Sequence, residues 1–426
     1  MGEKLDRRRF IQLTGATGMA AIAGCSGDNG DQQTTEPATE EPTEEPTEEP
    51  TEEPTEEGPD YTNPSETENA LIEPQTLNEW VEAGLVNSDD VYADPRVAVI
   101  RSDAGGYASG HVPGAVPLEV GDAAGGALLK ATRLDGLAKT KALVPTGETV
   151  DQLIQNAGVG PNTTIVISGP GEGASMYYGT RLYWTLRFWG FPRERLKLLN
   201  GGTAAYGEEY ELSFENVETP ETGYNLEAFD EPNYGLRKGL NEMLQLVDDV
   251  NAGESSASVI DQRGSWDAKI ANSHVESAAN YVEGESFTQP AKWKSADEIE
   301  EHVFSYDGVE DGDEIVTMCH SGFKGTLAFF ALDGIVGYDN AALFDGSWKF
   351  TWKQYNGEQD PTPNDAWRTD MHGRTEGEIT ATDQLSIDPD LNEQLTDLAT
   401  LDANQVKKDA IEYIVGDTSG GFGCGS

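Results

Sequence analysis

From about Leu71 onwards, short apolar runs alternate with segments whose apolar residues recur at helical spacing, the pattern of an α/β protein. The runs predict strands at Val97–Ile100, Thr164–Ile167 and Leu196–Leu199, and again at Ser258–Asp261, Glu314–Met318 and Ala342–Phe344. Helices are predicted at Leu77–Ala83, Met176–Trp189, Tyr234–Val250, Ala296–Phe304 and Thr326–Gly334. In Met176–Trp189, Leu182, Leu186 and Trp189 form one face while Tyr183 and Arg187 mark another. Its aromatic residues are expected to pack in the core, and Arg181 is expected either on the helix surface or reaching a cleft of which the first half supplies one wall.

Before Leu71 there is no such periodicity. Residues 26–70 are built around repeated Thr-Glu-Glu-Pro, which offers nothing to bury against the entropy of ordering. A disordered linker is expected, extended in polyproline fashion and able to reach on the order of 100 Å. Residues 1–25 carry Arg7-Arg8-Arg9-Phe10 and then an apolar stretch, Ile11–Ala23, too short to span a bilayer. The paired arginines resemble a twin-arginine export signal, and Ile22-Ala23-Gly24-Cys25 resembles a lipobox. That resemblance implies export and lipidation of Cys25, with the protein held at the outer face of the cytoplasmic membrane.

Charge narrows the partners. The 426 residues hold 77 acidic against 28 basic groups, a formal charge of −49, of which residues 61–426 carry −37. Nucleic acid is excluded as a partner, since binding phosphate backbones needs a basic surface. No apolar run reaches 18 residues, which excludes a polytopic membrane protein. So much like charge is tolerable where the Debye length falls to about 3 Å, in molar salt; the bias resembles proteins of salt-accumulating archaea. Three cysteines are too few for a disulfide scaffold.

The order of motifs recurs. Arg101-Ser102-Asp103 is followed by Gly110-His111-Val112-Pro113-Gly114-Ala115, a strand with a Gly-rich turn into a helix, and Asn200-Gly201-Gly202. The second half runs Asp261-Gln262-Arg263, then Ser273-His274-Val275-Glu276-Ser277-Ala278, a strand-turn-helix with Cys319, and Asp345-Gly346-Ser347-Trp348. This arrangement resembles a tandem-domain rhodanese, a family of thiosulfate and 3-mercaptopyruvate sulfurtransferases. The resemblance covers roughly Leu71–Trp352 and implies two tandem rhodanese-like domains, each a roughly five-stranded parallel sheet flanked by helices. They are placed at 71–215, catalytically silent, and 230–353, catalytic, with an extension over 354–426.

The chemistry is expected at Cys319, which opens the turn His320-Ser321-Gly322-Phe323-Lys324-Gly325 between a strand and a helix. Such a turn gathers backbone N–H groups and a helix N-terminus around the sulfur and so favours the thiolate. Cysteine phosphatases place Arg after five intervening residues; here Lys324 follows after four, a loop better suited to a persulfide than to phosphate. By the resemblance, Cys319 takes sulfane sulfur from thiosulfate or 3-mercaptopyruvate and passes it to cyanide, a small thiol or a sulfur-carrier protein. Lys324 is expected to attract the donor's sulfonate, His320 either to add a hydrogen bond or to face solvent, and Arg263 either to touch substrate or to pair with Asp261. No metal or organic cofactor is expected, because the histidines lack chelating spacing. A rhodanese-fold phosphatase or arsenate-type reductase, and a non-enzymatic sulfur-carrier or binding module, are the alternatives.

In the first half, Ser168-Gly169-Pro170-Gly171-Glu172-Gly173 holds the corresponding turn, with Ser168 expected at the sulfur's position. Beyond the second half, a helix is predicted at Asp402–Ile414 and expected to pack on the second domain. The terminal Gly423-Cys424-Gly425 resembles the ends of sulfur-carrier proteins, so Cys424 is a candidate relay for sulfur from Cys319.

Overall fold

Strands buried on both faces read as continuous apolar runs, and two sets of such strands form two wholly parallel sheets. The computed structural model describes residues 61–135, 138–171, 176–263, 273–275, 281, 292–352 and 405–416. The export signal, residues 26–60 of the expected linker and the terminal Gly-Cys-Gly, with Cys25 and Cys424, lie outside the described residues. Residues 61–70, expected in the disordered linker, instead pack on the fold, with Ala70 buried and the Thr62 carbonyl accepting from Trp80 Nε1 at 2.7 Å.

The first half runs β1 (Leu71–Ile72), α1 (Pro74–Glu82), β2 (Arg96–Arg101), β3 (Val116–Pro117), the short ladder β4 (Glu119–Val120) and β5 (Ala123–Ala124), and the hairpin β6 (Ala131–Asp135) and β7 (Ala138–Leu143). It continues through α2 (Gly147–Asn156), β8 (Thr163–Ser168), α3 (Met176–Phe188), β9 (Leu196–Leu199) and α4 (Gly202–Glu209). The second half contains β10 (Arg237–Lys238), α5 (Leu240–Ala252), β11 (Ser258–Asp261), β12 (Ser273–Val275), α6 (Ala296–Val303), β13 (Ile315–Met318), α7 (Gly325–Phe329) and β14 (Ala341–Phe344). A final helix, α8, spans Gln405–Val415. Five-stranded sheets of order β1-β9-β8-β2-β3 and β10-β14-β13-β11-β12 result, the same order twice.

Alternation along the strands divides the first sheet between two cores. Val97, Val99 and Val166 face Leu77, Trp80 and Tyr206 beneath α1 and α4. Ala98, Ile100, Ile165 and Ile167 face α3, and that core continues into Ile260, Ile315 and Leu343 of the second sheet. The two halves thus share apolar packing, and α3 lies at their junction, its Leu182 and Leu186, and Trp189 just past its end, buried as the periodicity predicts.

Two further expectations are corrected. The helix predicted from Tyr234 begins only at Leu240, because Arg237–Lys238 joins the second sheet beside β14. Arg237 is fully buried there, 2.9 Å from Asp345 and 3.3 Å from Asp135, contacts that a surface helix would not offer it. The C-terminal helix packs chiefly on the first half. Tyr413 covers Gly147, its hydroxyl donating to Asp151 at 2.6 Å, and Asp409 pairs with Arg133 at 2.9 Å. Its tie to the second half is Lys407 to Glu242, at 2.5 Å. Helix α7 is also longer in effect than its α-helical part, since Phe330–Val336 continues it as a π turn.

Candidate active site

The carboxyl ends of parallel strands are where such sheets expose their loops to ligands, and Cys319 sits directly after β13. It is 2% exposed. The segment after β14 clamps its backbone: Cys319 N–H donates to Ser347 Oγ (3.2 Å), and its carbonyl accepts from Trp348 N–H (3.1 Å). Lys349 N–H donates to the His320 carbonyl at 2.7 Å. With the chain thus held, the Ser321 N–H donates to Cys319 Sγ at 3.4 Å, a backbone donor aimed at the sulfur.

Gly322 has φ +74°, a left-handed conformation in which a Cβ would collide with the Asp345 carbonyl. Glycine is therefore required for the loop to close against β14. A Cβ on Gly325 would stand 2.9 Å from the Met318 carbonyl carbon, so the start of α7 also lies close against β13. Phe323 is buried, edge-on to Tyr178 at 5.9 Å, with Lys130 Nζ 4.8 Å from its ring centre. Lys324 and Ser321 are half-buried at the loop and His320 is exposed.

Arg263 pairs with Asp261. Its Nε lies 2.7 Å from Asp261 Oδ2, and its guanidinium lies 3.8 Å from the Trp348 ring centre. In the first half, the same two positions hold the reverse pair, Arg101 with Asp103 at 2.8 Å.

For Arg181 the surface alternative is overturned. It is fully buried at the junction of the halves, not on a surface. Nη1 donates to the Gly322 carbonyl at 3.2 Å, Nη2 to the Ala142 carbonyl at 2.8 Å, and Asp345 Oδ2 lies 4.0 Å away. Burial lowers its pKa to about 10, against the opposing charges of Asp345 and Cys319. One helical turn earlier, Tyr177 is pushed up to about 12 by burial and then by the Cys319 charge. Both residues sense the sulfur from the other half of the chain. The i, i+4 spacing of 177 and 181 places them on one helix face, but their opposite partner could not be read from it.

Strand register also corrects the first-half match. Ser102 N–H donates to the Ser168 carbonyl as Gln262 N–H donates to the Met318 carbonyl, and Arg101 faces Ser168 as Asp261 faces Met318. Ser168 therefore corresponds to Met318, and Gly169 takes the place of Cys319. No nucleophilic side chain stands at that position. Gly179 and Gly325 pack against the corresponding Leu198 and Leu343, so five residues separate Cys319 from its helix glycine but nine separate Gly169 from its own. Glu172 and Gly173 lie outside the described residues.

Among the described residues no group of three or more His, Cys, Asp or Glu gathers as a metal site, and no helix is long and apolar enough to cross a membrane. An open cleft lined by Arg187, Glu231, Asn233, Tyr234, Glu314 and Asp339 lies at the amino ends of β13 and β14, the end opposite Cys319.

No family model matches the chain. It is 26% identical over 278 residues to a Haloferax volcanii protein named "Putative thiosulfate sulfurtransferase", covering 63% of this chain and 90% of that one. It is 24% identical over 299 residues to the SseA protein of Mycobacterium bovis that bears the same kind of name, covering 67% and 91%. Among solved structures it resembles Escherichia coli SseA, described as a 3-mercaptopyruvate sulfotransferase of "rhodanese" fold, with TM-score 0.50, 21% identity, and coverage of 66% of this chain and 99% of that one. It also resembles EanB in complex with ergothioneine, with TM-score 0.51, 17% identity, and coverage of 69% and 70%. With the same five-strand order repeated in both halves, the chain has the rhodanese fold in two tandem copies.

Proposed function

We propose that the protein is a sulfurtransferase that carries sulfane sulfur on Cys319. The observation that bears most on this is the Ser321 N–H aimed at Cys319 Sγ inside a loop whose glycine conformation holds it tight against β14. The names of the relatives support the same reading. In the donor step the Cys319 thiolate attacks the outer sulfur of thiosulfate. A Sγ–S bond forms, the S–S bond of thiosulfate breaks with its electron pair, and sulfite leaves. The resulting persulfide anion lies within reach of the loop amides, with Lys324 at the rim for the sulfonate oxygens. In the acceptor step cyanide, a small thiol or a carrier protein takes the outer sulfur and returns Cys319 as thiolate. 3-Mercaptopyruvate serves as the alternative donor, leaving as pyruvate.

The test is thiocyanate formation from thiosulfate and cyanide in molar salt, with Cys319→Ser as control. Donor exposure should add the mass of one sulfur atom to the Cys319 peptide. Turnover by Cys319→Ser at the parent rate would remove this cysteine from the mechanism, and phosphate release from an aryl phosphate would favour a phosphatase instead. We further propose export and anchoring through lipidated Cys25, with the Cys424 arm as a sulfur acceptor. Loss of membrane association in Cys25→Ala tests the first. Unchanged turnover toward small and protein acceptors after truncation beyond Gly416 would dispose of the second.

A further inference from the structure

We propose that Arg181, supplied by the first half, is a positioning residue for the Cys319 loop of the second half, so that the loop is competent only while the halves are docked; this rests on reading Cys319 as the sulfur carrier. Arg181 is a first-half side chain that hydrogen-bonds the loop backbone, at the Gly322 carbonyl (3.2 Å). A trans peptide points its C=O and the next N–H in opposite directions. Holding the Gly322 carbonyl toward Arg181 therefore turns the Phe323 N–H to the other side of the peptide, away from the junction. The same residue lies close against the Asp345 carbonyl, with no room for a Cβ, so Gly322 meets a donor from one half and a backbone wall from the other.

Arg181 is also only lightly committed as a charge. The Asp345 carboxylate is taken up by Arg237 at 2.9 Å and by the N–H groups of Val144 at 2.8 Å and Gly346 at 3.0 Å, leaving Arg181 as its most distant partner at 4.0 Å. Its Nε is buried and has no hydrogen-bond partner among the described residues. The guanidinium also lies over the Trp184 and Phe323 rings, at 4.4 and 5.1 Å; buried and without a close carboxylate, it acts electrostatically on the sulfur and favours the anionic thiolate and persulfide over their neutral forms. Arg187, six residues further along α3, makes a useful contrast. It also crosses the junction, bidentate to Asp333 at 2.9 and 3.0 Å, but touches no part of the loop.

The experiment uses the full chain in molar KCl, with Arg181→Lys, Arg181→Gln and Arg187→Lys. Three quantities are read: thermal unfolding, the first-turnover rate of sulfite release from thiosulfate, and alkylation of Cys319 by iodoacetamide without donor. Lysine cannot reproduce the two-point hold on Gly322 and Ala142. Both Arg181 variants are expected to slow sulfite release on the order of tenfold or more, through the rate rather than KM, and to slow alkylation at neutral pH. Arg187→Lys is expected to lower the unfolding temperature while leaving both rates at the parent value. Parent rates in folded Arg181→Lys would overturn the proposal, as would equal slowing by Arg187→Lys. Should Arg181→Gln fail to fold, Arg181→Lys decides. If the parent releases neither sulfite from thiosulfate nor pyruvate from 3-mercaptopyruvate, the sulfur-carrier reading falls, and the alkylation series alone decides the role of Arg181.

Discussion

The hydroxyls of Thr180 and Thr326 meet at 2.7 Å, one from each half of the chain and each directly after the glycine that packs its helix on its sheet. They are corresponding residues of α3 and α7, so the two copies of the fold face each other through the same position. The arrangement brings Arg181, the next residue of α3, against the loop that precedes α7.

That hydroxyl pair should be measurable as a coupling. Each of Thr180→Val and Thr326→Val is expected to cost about 1 kcal/mol, and the double variant less than the sum of the two. Denaturant unfolding of the four proteins in high salt closes the cycle. Strict additivity would mean that the hydroxyls do not interact.

Gly322→Ala should be costly for two reasons at once. Its left-handed backbone disfavours any side chain, and the new Cβ meets the Asp345 carbonyl rather than a movable side chain. A loss of about 2 kcal/mol or more is expected, together with slower alkylation of Cys319 as the loop opens. A variant of parent stability and reactivity would contradict the described loop.

Asp333 is the ionic pin of the junction, gripped by Arg187, by Arg193 at 3.0 Å and by the Tyr183 hydroxyl at 2.8 Å. Burial pushes its carboxyl up, but the hydrogen bonds and charge of Arg187 and then Arg193 outweigh this and leave it below the ordinary value. A depressed folded-state pKa contributes stability that is present above the unfolded-state value, about 3.9, and lost as pH falls through the folded one. Asp333→Asn is expected to cost about 3–5 kcal/mol at neutral pH. Stability of the parent should fall below about pH 4, with a shallower fall in the variant. Urea titrations across that range check both.

Removing the Tyr413 ring should loosen α8 from the first half without touching the sulfur. Tyr413→Ala loses the bond to Asp151, the cover over Gly147 and the edge contact with Trp189 at 5.8 Å. A cost of about 2 kcal/mol is expected, with Cys319 alkylation unchanged. A large fall in alkylation rate would show that α8 also supports the Cys319 loop.

The apolar runs at Val97–Ile100, Leu196–Leu199 and Ser258–Asp261 were legible as strands because parallel strands buried on both faces leave little else those residues could do. Short edge strands were not: Arg237–Lys238 carries no apolar signal, and its place depends on the buried Asp345 and Asp135 far along the chain. Helix α2, Gly147–Asn156, opens on glycine, with Val150, Leu153 and Ile154 as its buried positions, too brief a pattern to stand out. Ser168 was matched to Cys319 by counting into a glycine-rich turn. Counting fails where two loops differ in length, and only strand register, which aligns hydrogen bonds rather than letters, puts Gly169 there.

By itself the sequence determined the α/β class, the doubled order of motifs and the cysteine at a strand-to-helix turn, because these follow from local periodicity and from which residues a tight turn admits. Tertiary structure alone decided that an arginine about 140 residues upstream holds that turn, that the last helix belongs with the first half, and that the halves share one core. The reason is that charge and hydrogen bonding act through space. A buried guanidinium is assigned its partners by whatever carbonyls and carboxylates the packing of two sheets brings within about 3 Å of it, and no spacing along the chain encodes that distance.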